Sequence, residues 1–168
     1  MKEVLKVVVD KYGTSKIKYG LILFGTTPVS SKYFGESFPT QEAFKNFINI
    51  VRRPSGKPDL VMALEEGRKL FERAPKRPKA HQVLVVVMDD KSVNKPEDLK
   101  RAFKSMEDKQ IKIIAVAVGP GADTYEMEQI TGDKDRVVQV AKNVKPEKLA
   151  EKIMTKATTK GLSNIRIW

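Results

Sequence analysis

Two stretches of the chain are apolar at nearly every position, Gln82 to Met88 (QVLVVVM) and Ile111 to Val118 (IKIIAVAV). Runs that are β-branched and hydrophobic on both alternating sets of positions belong to strands covered on both faces, as in the middle of a parallel sheet. Ile17 to Phe24 (IKYGLILF) reads as a third strand and Arg136 to Val140 (RVVQV) as a shorter fourth. Val29 to Phe34 reads as an edge strand following Thr26-Thr27-Pro28. Between these runs the apolar positions change to helical spacing. Leu60, Ala63, Leu64, Gly67, Leu70 and Phe71 form one stripe, and Leu99, Ala102, Phe103 and Met106 a second. Phe44, Phe47, Ile48 and Val51 form a third behind Thr40, a candidate N-cap. Val4, Leu5, Val8 and Tyr12 predict an initial helix closed by Gly13, and Leu149, Ile153 and Ala157 a last one opened by Pro146.

Strands alternating with helices imply parallel pairing through right-handed crossovers, with helices on both faces. The expected fold class is therefore α/β, a doubly wound, mostly parallel sheet. A chain of 168 residues is the size of one domain. The expected division is a domain over residues 1–157 and a tail over 158–168, in which Thr158 to Asn164 leads to the strand-like ending Ile165-Arg166-Ile167-Trp168.

Composition narrows the chemistry. Lys and Arg number 32 against 21 Asp and Glu, and the net charge of +11 biases the molecule toward acidic partners. With no cysteine, disulfides, thiolate nucleophiles and Cys-ligated metals are excluded, while the compartment stays open. Met1 to Tyr12 carries Glu3 and Asp10 and does not read as a signal peptide, and no apolar run is long enough to predict a membrane span. The single histidine, His81, has no evident nucleophile partner and reads as a surface residue, so no enzyme is expected. Gly119-Pro120-Gly121-Ala122-Asp123 reads as a strand-to-helix turn, because a dinucleotide loop needs a third glycine and the N–H that Pro120 lacks. Two basic loops are candidate polyanion contacts: Arg52, Arg53 and Lys57 in the first, Lys76, Arg77 and Lys79 in the second. They lack interleaved aromatics for stacking bases, which points to a sulfated glycan and not to nucleic acid. Tyr33, Phe34 and Phe38 are expected to pack under the edge strand; the alternative is an exposed contact patch.

In order and spacing, Ile17 to Thr27 (IKYGLILFGTT), Ala63 to Phe71 (ALEEGRKLF), Val83 to Asp89 (VLVVVMD), Lys109 to Gly119 (KQIKIIAVAVG) and Tyr125 to Ile130 resemble the von Willebrand factor A family. The resemblance is greatest to its extracellular-matrix branch, of matrilin and collagen type, and covers about residues 1–157. It implies a non-enzymatic, extracellular interaction module for a matrix or cell-surface protein such as a collagen. A glycosaminoglycan-binding module and an intracellular A-domain scaffold are the alternatives.

The resemblance also implies that the family's opening strand, ending in D-x-S-x-S, lies before Met1. A central slot then remains between Ile17 to Phe24 and Val83 to Met88, and the tail is a candidate to fill it, the alternative being a free tail on a rearranged or incomplete sheet. Filling within one chain or by strand exchange with a second copy is open, the latter giving a homo-oligomer. Arg166 stands against it, since a buried guanidinium needs a carboxylate. Of the family's metal ligands Asp89 matches the Asp after the next strand, the Thr position falls at Pro58, and the Gly after the Asp is Asp90. The implied metal site is degenerate and no cofactor is expected, with Mg2+ or Ca2+ bound only if residues before Met1 complete the site.

Overall fold

The computed structural model describes residues 1–13, 17–33, 38–52, 54–75, 77, 80–141, 143–158 and 165–167, and of residues 28–33 and 165–167 it describes the backbone. The elements in chain order are α1 (Lys2–Tyr12), β1 (Ile17–Phe24), β2 (Pro28–Tyr33), α2 (Gln41–Ile50), α3 (Leu60–Arg73) and β3 (His81–Met88). They continue with α4 (Pro96–Asp108), β4 (Ile111–Val118), α5 (Thr124–Thr131), β5 (Val137–Val140), α6 (Pro146–Thr158) and β6 (Ile165–Ile167).

The sheet has the order β2-β1-β6-β3-β4-β5. Only β2 is antiparallel; β1, β6, β3, β4 and β5 all run the same way. Alternation along the strands sends one set of side chains to each face. Val83, Val85 and Val87 of β3 point to the layer of α1, α2 and α6, where Val8, Phe44 and Ile153 are buried. Leu84, Val86 and Met88 point to the layer of α3, α4 and α5, where Leu64, Leu99 and Ile130 are buried. The doubly wound α/β fold expected from the sequence is the observed one.

Local signals place the helices. Thr40 accepts the Ala43 N–H at 3.1 Å, Asp59 accepts the Met62 N–H at 2.9 Å, and Asp123 accepts the Tyr125 N–H at 2.9 Å, each at the first turn of its helix. Near the fourth strand the boundary differs from the sequence expectation. Arg136 belongs to a short 3-10 turn over Lys134–Arg136, opened by Asp133, and the strand starts at Val137. Phe38 is buried, with its ring 4.9 Å from those of both Phe44 and Phe47, so it belongs to the core and not to an exposed patch. Phe34 and the Tyr33 side chain lie outside the described residues.

The tail supplies a central strand. Ile165 to Ile167 pair in parallel with Ile17 to Tyr19 on one side and with His81 to Val83 on the other. Arg166 stands opposite Lys18 and Gln82 in that register.

Candidate functional site

Because β1, β3, β4 and β5 are parallel, the segments that follow them emerge on one edge of the sheet. In open α/β sheets this carboxyl rim is where ligands are met. Four loops build it here: Gly25–Thr27, the segment 51–59 leading into α3, Asp89–Lys95 and Gly119–Asp123.

Hydrogen bonds lock the loops together. The Asp59 N–H donates to the Gly25 carbonyl at 2.8 Å, and the Val93 N–H donates to the Pro58 carbonyl at 3.0 Å. Asn94 reaches across as a second cap for α3: its Oδ1 accepts the N–H groups of Leu60 at 2.7 Å and Val61 at 3.1 Å, while its Nδ2 donates to Asp59 Oδ1 at 3.0 Å. Ser92 donates its N–H at 2.9 Å and its hydroxyl at 3.0 Å to the two oxygens of Glu126, and both residues are buried. A buried carboxylate satisfied in this way fixes the Asp89–Lys95 loop on α5. Lys91 adds an exposed ion pair to Asp123 at 3.0 Å. Its hydrogen bond holds the Asp123 carboxyl below the ordinary range, and the same contact raises the Lys91 ammonium. At Gly121 the rim has no room for a side chain, since a Cβ there would lie 2.5 Å from the Asp89 carbonyl oxygen.

Asp89 directly follows β3 and is half-buried at the rim. Pro58, in the neighbouring loop, offers only its carbonyl, already taken by Val93. Asp59 Oδ1 accepts from Met62 and Asn94, Asp123 caps α5 through Oδ1 and meets Lys91 through Oδ2, and both oxygens of Glu126 accept from Ser92. Among the described residues no group of three or more His, Cys, Asp and Glu side chains is placed to hold a metal. A hard divalent cation asks for about six oxygen ligands, and the described residues do not fit it on their own.

The basic residues do not come together. Arg52 and Lys57 are exposed on the segment 51–59 at the rim, whereas Arg77 is half-buried in the loop between α3 and β3, at the opposite edge. The 14 residues of α3 separate the two loops by about 21 Å at ~1.5 Å per residue. Arg53, Lys76 and Lys79 lie outside the described residues. His81 opens β3 and is exposed.

Sequence patterning missed three apolar side chains on the rim. Met62 in the first turn of α3 is 41% exposed, Val93 beside Asn94 53%, and Tyr125 in the first turn of α5 54%. One signal was available for Val93, a lone β-branched residue in the polar run Asp90-Lys91-Ser92-Val93-Asn94-Lys95. The Asp59–Asn94, Ser92–Glu126 and Lys91–Asp123 contacts tie together the three segments that carry them.

Fold and rim together define an open α/β domain with a set of interlocked loops at the carboxyl ends of its strands. The von Willebrand factor type A domain matches residues 1–155, and the chain belongs to that family. Its members are protein-interaction modules, generally non-enzymatic, and occur in matrix and adhesion proteins, often outside the cell. Solved structures agree on the fold. Proximal thread matrix protein 1 from the mussel byssus superposes with a TM-score of 0.81 at 21% identity over 94% of this chain and 41% of that one. This chain therefore spans about two fifths of the mussel chain's length. A second structure of the mussel protein carries zinc in its MIDAS motif. A von Willebrand factor type A protein from Catenulispora acidiphila gives a TM-score of 0.71 at 19% identity, over 94% of this chain and 37% of that one. The manganese-loaded TRAP protein of Plasmodium vivax gives 0.67 at 18%, over 90% and 63%. No helix among the described residues is long and apolar enough to cross a membrane.

Proposed function

We propose that the chain is a non-enzymatic, extracellular interaction module that binds a matrix or cell-surface protein through the carboxyl rim, with a degenerate metal site and no need for a divalent cation. The exposure of Met62, Val93 and Tyr125 on one rim carries this reading, because apolar anchors ringed by polar groups are what a protein contact buries. The protein contacts already made by Asp59, Asp123 and Glu126 support a contact that needs no cation.

Binding to immobilised fibrillar collagen, with and without EDTA, tests it. The expected outcome is binding that EDTA leaves unchanged and that Met62→Asp/Val93→Asp/Tyr125→Asp weakens at least about tenfold. Loss of binding in EDTA refutes the cation independence, an unaffected triple variant refutes the face, and no collagen binding by the wild type removes fibrillar collagen from the matrix partners. Calorimetric titration gives a direct check, with Mg2+ and Ca2+ expected to bind with Kd weaker than about 100 micromolar.

Sulfated glycan binding is the second reading, supported by the net charge of +11 and by Arg52 and Lys57 exposed on the same rim.

A further inference from the structure

A mild oxidant converts methionine from an apolar side chain into a polar one. The chain has six methionines and no cysteine to compete for the oxidant. Met88, Met106, Met127 and Met154 are buried in the two core layers, each 4% exposed or less, whereas Met1 is 43% exposed and Met62 41%. Of these two, Met62 is the one that belongs with Val93 and Tyr125 to the apolar set on which the rim contact was proposed.

The place of Met62 on α3 separates the contact from the fold. The buried face of the helix is Leu60, Ala63, Leu64, Gly67, Leu70 and Phe71. Met62 stands off that face, one turn before Glu65 and Glu66 and two before Lys69, where α3 otherwise carries charged residues. Its main-chain N–H donates to Asp59 Oδ1 at 2.9 Å, so the cap of the helix does not involve the thioether. An oxygen added to a core methionine has to be buried among apolar neighbours, which costs stability. An oxygen added to Met62 meets water in the free domain, and the cost arises only when a partner covers it.

We propose that Met62 is a reversible oxidation site that switches the rim contact off while leaving the domain folded. The inference rests on the rim reading and adds its regulation. With hydrogen peroxide as oxidant, the thioether sulfur attacks one peroxide oxygen and the O–O bond breaks as the S–O bond forms. Sulfur gives up two electrons, and the second oxygen takes the proton of the first and leaves as water. The product, methionine sulfoxide, is returned to methionine by a sulfoxide reductase.

The test treats the full chain with hydrogen peroxide, maps the added oxygen by peptide mass spectrometry, and measures binding to immobilised fibrillar collagen on the same samples. Met62 is expected to react at least about tenfold faster than Met88, Met106, Met127 and Met154. Binding then weakens at least about fivefold with the thermal unfolding midpoint unchanged, and methionine sulfoxide reductase restores it. Met62→Leu keeps an apolar side chain without sulfur and retains Met1, so it binds equally before and after treatment. Met62 reacting no faster than the buried four overturns the site, and a lowered midpoint when only Met62 is oxidised overturns it in favour of damage to the fold. Undiminished binding by the oxidised wild type overturns the switch alone and leaves the rim reading standing, as does an equal loss in Met62→Leu. Binding that resists both oxidation and the triple aspartate variant overturns the rim reading as well. An untreated chain that does not bind collagen removes that contact and the switch on it, while the mapping still decides the site.

Discussion

At Asp123 one carboxylate caps α5 and also meets Lys91 across the rim. The two contacts separate by mutation. Asp123→Ala removes both and is expected to cost about 1–2 kcal/mol, mostly through the lost cap. Lys91→Met removes only the exposed ion pair, so the stability change near neutral pH is small. The pH dependence gives the clearer signal. Asp123 titrates below its ordinary value of 3.8 in the folded chain, so its contribution is present above the unfolded value and is lost as pH falls through the folded one. Lys91 is raised above 10.5, so its share is present below that value and is lost as pH rises through the folded one. Carboxyl NMR titration of Lys91→Met should show the Asp123 value moving up toward 3.8, with acid unfolding starting at higher pH than in the wild type. An unmoved Asp123 titration would assign the depression to the α5 N–H groups instead.

At the scale of elements, what was legible followed from short-range rules. The stripe Leu60, Ala63, Leu64, Gly67, Leu70 and Phe71 is the buried face of α3, and Thr40 caps α2 as its residue type predicts. The strands were legible because continuous β-branched runs have few other uses. The second cap of α3 was hidden: Asn94 lies 34 positions from Leu60, and only the folded rim brings them together. The apolar rim side chains escaped for a related reason, since patterning shows which residues are apolar but not which ones the helices fail to cover. Asn94→Ala leaves the N–H groups of Leu60 and Val61 without that acceptor, and a loss of about 1–2 kcal/mol is expected in urea unfolding. A variant as stable as the wild type would mean that water serves those amides equally well.

At the scale of the whole molecule, the sheet decides what can act together. Two basic loops that look alike in sequence sit on opposite edges, so one polyanion segment on the rim meets Arg52 and Lys57 without meeting Arg77. Arg52→Ala/Lys57→Ala is expected to elute from heparin at lower salt, with a larger shift than Arg77→Ala produces; the reverse order would move the glycan contact to the other edge. The position of β6 has a mechanical consequence as well. Among the described residues it is the hydrogen-bonded link between the pair β2–β1 and the set β3–β4–β5. Tension applied beyond Ile167 along the strand loads its ladders in shear on both sides, and those ladders span three residues on each. By comparison, β3 and β4 are joined in register from Gln82 and Ile111 to Met88 and Ala117. Under such tension the short ladders of β6 are expected to shear before the longer β3–β4 ladder, leaving the helical layers to hold the two strand sets together.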